Sequence, residues 1–152
     1  HTVVDTSGYV NWNVLESILA WTDLFLFDIK AYNAQLHQRL TGVDNTRIKS
    51  NFKKLAVRDI PLIVRIPLIP GCNDQPAEMA GIADMIREVK PSTPVDILPY
   101  HQFAEQKYHR IGKEYRLKGV KPLPPDQLRQ LGRIFEERGI AVIIKGMGKD
   151  EK

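Results

Sequence analysis

The sequence predicts an α/β domain in which parallel strands alternate with helices and form an arc of a TIM-like (β/α) barrel. Three observations carry this prediction. Five short β-rich apolar runs are separated by amphipathic helical stretches. The links between the runs are too long for hairpins, so each strand returns through a crossover and the strands lie parallel. The chain has 152 residues, whereas a closed eight-fold barrel usually takes more than about 200. An open doubly wound sheet is the competing architecture. No G-x-G-x-x-G follows a strand, which disfavours its dinucleotide-binding form.

The elements follow in order. Thr2 to Asp5 is a brief β-rich run, ended by the turn chemistry of Thr6-Ser7-Gly8. Asn11 to Ala20 places Val14, Leu15, Ile18 and Leu19 on one helical stripe. Leu24 to Ile29 is apolar on both faces until Asp28, as expected of a strand covered on both sides. Two helices follow, Ala34 to Leu40 and Asn45 to Val57, the second with Asp44 or Asn45 as its cap. Leu62 to Leu68 is the third strand, and Pro76 to Val89 is a helix that opens on the one residue type whose missing N–H costs nothing there. Val95 to Tyr100 is the fourth strand, and an irregular stretch is expected from His101 to Pro124. Asp126 to Arg138 is a helix with Leu128, Leu131, Ile134 and Phe135 inward; Gly139 ends it, and Ala141 to Ile144 is the last strand.

Composition narrows the function classes. With 43% hydrophobic and 26% charged residues, the chain is neither a disordered tail nor a low-complexity linker. The formal net charge of +4, from 22 Lys+Arg against 18 Asp+Glu, is too weak to argue for nucleic acid. The single cysteine, Cys72, excludes an internal disulfide and a self-contained cysteine cage for zinc or iron–sulfur. It sits in Pro70-Gly71-Cys72-Asn73-Asp74 with no histidine nearby, and reads as an ordinary thiol. No apolar run reaches the roughly 18 residues of a membrane span, and the expectation is a soluble, cytoplasmic protein forming one domain over residues 1–152. A chain that opens at His1 directly into a strand is expected to be a piece of something longer.

Ligands of parallel α/β folds sit at the C-terminal ends of the strands. There the apolar pattern breaks in a consistent way. The first strand ends in Asp5-Thr6, the second in Asp28-Ile29-Lys30, the third carries Arg65 between Val64 and Ile66, and the fourth runs into Tyr100-His101. Asp28 and Lys30, two apart, share a strand face. Carboxylates that suit an amine or a metal cation, beside Lys and Arg that suit a carboxylate or phosphate, describe a site for a zwitterion. Each residue also has a plainer reading: Asp5 opening a turn, Asp28 and Lys30 a solvated pair, Arg65 bridged to Asp28 or Asp96, His101 a loop histidine. Glu105 to Lys121 holds six Lys/Arg against two Glu, with Tyr108 and Tyr115 among them. That segment is either a solvated loop or a docking surface for a partner protein.

A resemblance joins these pieces. Asp5-Thr6-Ser7-Gly8, Asp23 to Lys30, His37 with Leu40-Thr41-Gly42-Val43, Arg65 with Pro70-Gly71, Leu98-Pro99-Tyr100-His101 and Gly119-Val120-Lys121-Pro122 occur in that order. Over nearly its whole length the chain resembles the C-terminal part of the glycyl-radical enzyme activating enzymes, radical S-adenosylmethionine proteins of the pyruvate formate-lyase-activating kind. The resemblance implies the C-terminal portion of a radical S-adenosylmethionine barrel. It implies a [4Fe-4S] cluster that reduces S-adenosylmethionine to a 5′-deoxyadenosyl radical, which takes a hydrogen atom from a glycine of the partner. It places Asp28, Ile29, Lys30, Arg65 and His101 along S-adenosylmethionine, and Asp5, Thr6, the Leu26 carbonyl and Asp28 around a monovalent cation. It gives as partner a glycyl-radical enzyme, pyruvate formate-lyase-like, with the basic segment near its glycine loop.

The family's C-x-x-x-C-x-x-C motif and its glycine-rich segment are absent. One cysteine cannot supply the three thiolates that a cluster with an open iron needs, so this chain alone is expected to be inactive. Its first strand is expected to be an unpaired sheet edge open to self-association. Two further readings stand beside this one: a cluster-free half barrel that binds a partner or a small zwitterion, and a different barrel enzyme using Asp28 and Lys30 for acid–base work.

Overall fold

The computed structural model describes residues 1–102 and 104–147. One sheet holds β1 (Val3–Thr6), β2 (Leu24–Asp28), β3 (Leu62–Leu68), β4 (Val95–Pro99) and β5 (Val142–Ile144). The helices are α1 (Trp12–Ile18), α2 (Ala34–Thr41), α3 (Thr46–Ala56), α4 (Pro76–Val89), α5 (Ala104–Arg110) and α6 (Pro125–Glu136), with a 3-10 turn at Leu19–Trp21.

Every strand pairs parallel with its neighbour in sequence, in the order β1-β2-β3-β4-β5. This order decides between the two architectures. A doubly wound sheet reverses direction at a switch point and carries helices on both faces; a barrel arc advances monotonically and carries them on one. Side-chain burial agrees. Phe25 and Phe27 of β2, Val64, Ile66 and Leu68 of β3, and Val95 and Ile97 of β4 are at most 1% exposed. They form one core with Phe52 and Leu55 of α3, Met79, Ile82 and Ile86 of α4, and Phe135 of α6. The alternate residues Leu24, Leu26, Asp28, Ile63, Arg65 and Pro67 are only half-buried and form the open, concave face.

Local chemistry accounts for the element ends. The Asn33 side chain accepts from the Leu36 N–H at 2.9 Å at the start of α2, and Gly42 ends that helix at φ +86°. Ahead of α3, Asp44 Oδ1 accepts from the Thr46 N–H at 2.7 Å, so of the two candidate caps the aspartate does the bonding. Gly8, at φ +68°, lies on the Phe27 ring where a Cβ would collide with it.

One expectation is corrected. The stretch from His101 to Pro124 is not wholly irregular, because α5 lies inside it. Residues 106–110 are exposed, and an exposed run of this kind leaves no apolar period to read. Among the described residues no helix is long and apolar enough to cross a membrane.

Candidate functional site

The register sets the site. Asp28 of β2 stands beside Arg65 of β3, and Arg65 beside Asp96 of β4; Asp5 of β1 is level with Leu26, one same-face step lower. On the concave face these residues interlock. Arg65 Nε donates to Asp28 Oδ1 at 2.9 Å, its Nη2 lies 2.8 Å from the same oxygen, and Nη2 also donates to Asp5 Oδ1. Lys30 Nζ is 3.3 Å from Asp28 Oδ2. Lys145 Nζ, just past β5, is 3.0 Å from Asp96 Oδ2. Three carboxylates thus face three cations across the sheet.

The Arg65 and Asp28 side chains keep only 19% and 17% of their exposure. Burial disfavours the Arg65 charge, but hydrogen bonds to Asp28 and Asp5 outweigh it and hold the guanidinium above its ordinary range. Both Asp28 oxygens are engaged, Oδ1 by Arg65 and Oδ2 by Lys30, so the face carries charges of both signs within contact of one another.

The candidates separate into those on this face and those off it. Asp5, Asp28, Lys30 and Arg65 come together. His101 is exposed one residue beyond Tyr100, whose N–H donates to the Leu68 carbonyl at 3.0 Å and keeps the chain beside β3 to that point. Ile29 is 3% exposed with its side chain in the helix-side core, and its N–H donates to the Arg65 carbonyl at 2.9 Å. Only its main chain can serve the open face. Thr6 alternates to the same side as Val4, which packs on the core, and its Oγ1 accepts from the Gly8 N–H at 3.0 Å. The turn bond expected of Asp5 is therefore made by Thr6, and Asp5 is left for Arg65.

Four buried polar residues hold the rim loops; of these the sequence offered Asn45 only as a cap and His37 only within the resemblance, and passed over Asn51 and Glu78. Asn51 Nδ2 donates to the carbonyls of Gly8 and Val10, both at 2.8 Å, and fixes the loop after β1. After β2, Asn45 Nδ2 donates to the carbonyls of Ala31 and Tyr32, and the Glu78 carboxylate accepts from the N–H groups of Tyr32 and Asn33. His37 is 2% exposed with Nδ1 2.7 Å from the Val43 carbonyl, which closes the loop after α2. For Asn51 and Glu78 the signal was legible: an amide or acid on a helix face that is otherwise apolar, as Asn51 is between Ile48 and Phe52.

The basic segment is tied to the same rim. Tyr115 Oη donates to Tyr100 Oη at 2.9 Å, and Gln102 Nε2 donates to the Val120 carbonyl at 3.2 Å. A groove of about 590 Å³ runs between this segment, the end of α2 and the loop after β3, lined by Leu40, Ile69, Tyr108, Lys113, Glu114 and Arg116 among others. Cys72 lines a separate cleft with Asn33, Leu36, Arg39 and Glu78. Burial, reinforced by Asp74, pushes its thiol up, away from the thiolate a nucleophile or metal ligand requires. Among the described residues no three His, Cys, Asp or Glu side chains cluster to hold a metal.

The one-faced parallel arc with a charged layer at its strand ends has counterparts among solved structures. The chain superposes on a domain of pyruvate-formate lyase-activating enzyme from Bacteroides vulgatus with a TM-score of 0.78 at 24% identity, covering 96% of this chain and 81% of that one. It superposes on a radical SAM methyltransferase from Sphaerobacter thermophilus with a TM-score of 0.62 at 16% identity, covering 94% of this chain and 39% of that one. No family model matches the sequence. Individual relatives do. The chain is 38% identical over 139 residues to the isethionate sulfite-lyase activating enzyme of Nitratidesulfovibrio vulgaris, covering 90% of this chain and 44% of that protein. It is 32% identical over 145 residues to the pyruvate formate-lyase 1-activating enzyme of Escherichia coli, covering 94% and 59%. Over the stretch it spans, the chain is a homologue of the glycyl-radical enzyme activating enzymes, and it spans about half the length of these relatives.

Proposed function

We propose that this chain supplies the C-terminal strands of the barrel of a glycyl-radical enzyme activating enzyme, and that its concave face holds S-adenosylmethionine. The observation that carries the proposal is the interlocked set Asp5, Arg65, Asp28 and Lys30 at three adjacent strand ends. S-adenosylmethionine brings an ammonium, a carboxylate and a sulfonium and, in this family, is the source of the deoxyadenosyl radical. Asp28 offers Oδ2 to a cation, Lys30 and Arg65 offer N–H donors to a carboxylate, and His101 lies at the neighbouring strand end. The Ile29 main chain lines the path between them. A monovalent cation among Asp5, Thr6, the Leu26 carbonyl and Asp28 would share with Arg65 the two carboxylates that the guanidinium bridges.

The residues present do not fit an iron–sulfur cluster. The one cysteine lies in a side cleft where burial pushes its thiol up, and a cluster of this kind takes three thiolates. The radical-forming step is therefore not assigned to this chain, and we expect no hydrogen abstraction from it alone. The partner that fits the family is a glycyl-radical enzyme, met through the groove under the basic segment, where Lys113 and Arg116 flank Tyr108 and Leu117.

The test is a nuclear magnetic resonance titration of the chain with S-adenosylmethionine. Millimolar binding is expected, with shifts confined to Asp28, Ile29, Lys30, Arg65 and His101 and abolished by Asp28→Asn. No shift at any of these amides would overturn the assignment of the face. Sub-micromolar binding would overturn the part-barrel reading in favour of a self-sufficient binding module.

A further inference from the structure

Proline within a central strand removes a ladder donor and needs a local explanation. Pro67 sits in β3, the middle strand of five. Its pairing toward β4 is intact, with Pro67 opposite Leu98 and Leu68 opposite Pro99. Toward β2 the pairing stops at Asp28 opposite Arg65. The last rung on that side is the Ile29 N–H to the Arg65 carbonyl at 2.9 Å. In a parallel ladder the next donor from β3 would be the N–H of residue 67, and a proline has none. The two strands therefore part at the level where β2 delivers Lys30 to the rim.

Asn73 fills that gap. It is 2% exposed, in the loop after β3. Its Nδ2 donates to the Lys30 carbonyl on one side and to the Pro67 carbonyl on the other, both at 2.7 Å. Its Oδ1 accepts from the Ile69 N–H at 2.7 Å, so the amide is itself held square to the gap. Both amide hydrogens are spent bridging β2 to β3. The next residues are held from elsewhere, Tyr32 and Asn33 by Glu78. Beyond the Ile29 N–H bond to the Arg65 carbonyl, the Asn73 side chain ties Lys30 to the Arg65 strand through the Pro67 carbonyl.

The geometry points to Asn73 as a positioning residue: a side-chain bridge that joins β2 to β3 just beyond the ladder bond Pro67 deletes and sets the main chain of Lys30, so that its ammonium stands beside Asp28. The inference deepens the reading of the concave face as a ligand site and rests on it for its functional meaning. The geometric claim is tested without any ligand.

The experiment follows the Lys30 side-chain ammonium by nuclear magnetic resonance and amide exchange at Ile29 in the whole chain. In Asn73→Ala the Lys30 signal is expected to move to that of a free lysine, and Ile29 exchange to quicken about tenfold, the size expected for one lost rung. Lys53, paired with Glu88 at 3.6 Å, should not change. Asn73→Asp keeps the acceptor for Ile69 and loses both donors, so it should reproduce the effect if the alanine variant folds poorly. Restoring an N–H with Pro67→Ala in the Asn73→Ala background should recover Ile29 protection. A lower melting temperature with the Lys30 signal in place would overturn the inference, because that is what packing alone predicts. If S-adenosylmethionine shifts nothing in the unmodified chain while Asn73→Ala still frees Lys30, the ligand reading falls and the rung stands.

Discussion

Replacing Arg65 with methionine removes the guanidinium while keeping most of its covered stem. The consequence can be sized from the structure. Breaking a buried pair costs about 3–5 kcal/mol, because the partner's charge is left uncompensated; an exposed pair is worth about 0–1 kcal/mol. Arg65 and Asp28 lie nearer the first case, with side chains 19% and 17% exposed, whereas Asp5 is 58% exposed and can turn to water. Lys30 at 3.3 Å still offsets part of the Asp28 charge. The expected loss is about 2 kcal/mol, or a fall in melting temperature of about 4–8 °C for a domain of this size. Urea unfolding read by circular dichroism measures it. Asp28→Asn in the Arg65→Met background should recover at least half of the loss, since the orphaned charge is then gone. A loss within about 0.5 kcal/mol, or strictly additive effects of the two substitutions, would refute the claim that Asp28 depends on Arg65 for its counter-charge.

Two further outcomes follow from the structure. Gly81→Ala in α4 should gain up to about 1 kcal/mol of helix propensity yet come out destabilised by about 1 kcal/mol in urea melts, because the new Cβ runs into the Tyr32 ring. Adding Tyr32→Ala should expose the propensity gain. Alkylation of Cys72 tests its raised thiol: at pH 7 to 8 the folded chain holds less thiolate than the unfolded one and should react more slowly with iodoacetamide. The two rates should converge as the pH rises past the folded-state value. A folded-state rate equal to or above that in urea at pH 7 would refute the burial argument.

The sheet was legible because each strand is a short β-rich run bounded by Gly, Pro or Asp, and the helices between them carry clear stripes. The charged layer was legible for a related reason. Asp28 and Arg65 interrupt runs such as Leu24 to Phe27 and Leu62 to Val64, and an ionic group there must be paired or functional. Strand alternation could have sorted Ile29 and Thr6 away from the open face, since each is one residue out of step with Asp28 and Asp5. The helix α5 left no trace because its residues 106–110 are exposed and set no apolar period. The rung made by Asn73 was out of reach for a different reason. It depends on a loop residue meeting carbonyls of two strands, 43 and 6 residues away, and no local pattern encodes such a meeting.

Because every strand hydrogen-bonds only to those before and after it in the chain, the protein is close to a linear array of βα units. Each closes a loop of a few tens of residues, so assembly can grow outward from any pair that forms first, without waiting for the ends to meet. The same arrangement lets a further βα unit be added to either flank while the rungs around Arg65 stay as they are. Lengthening the arc therefore leaves the ligand-facing centre as it is, whereas losing the β1 unit would take Asp5 from it.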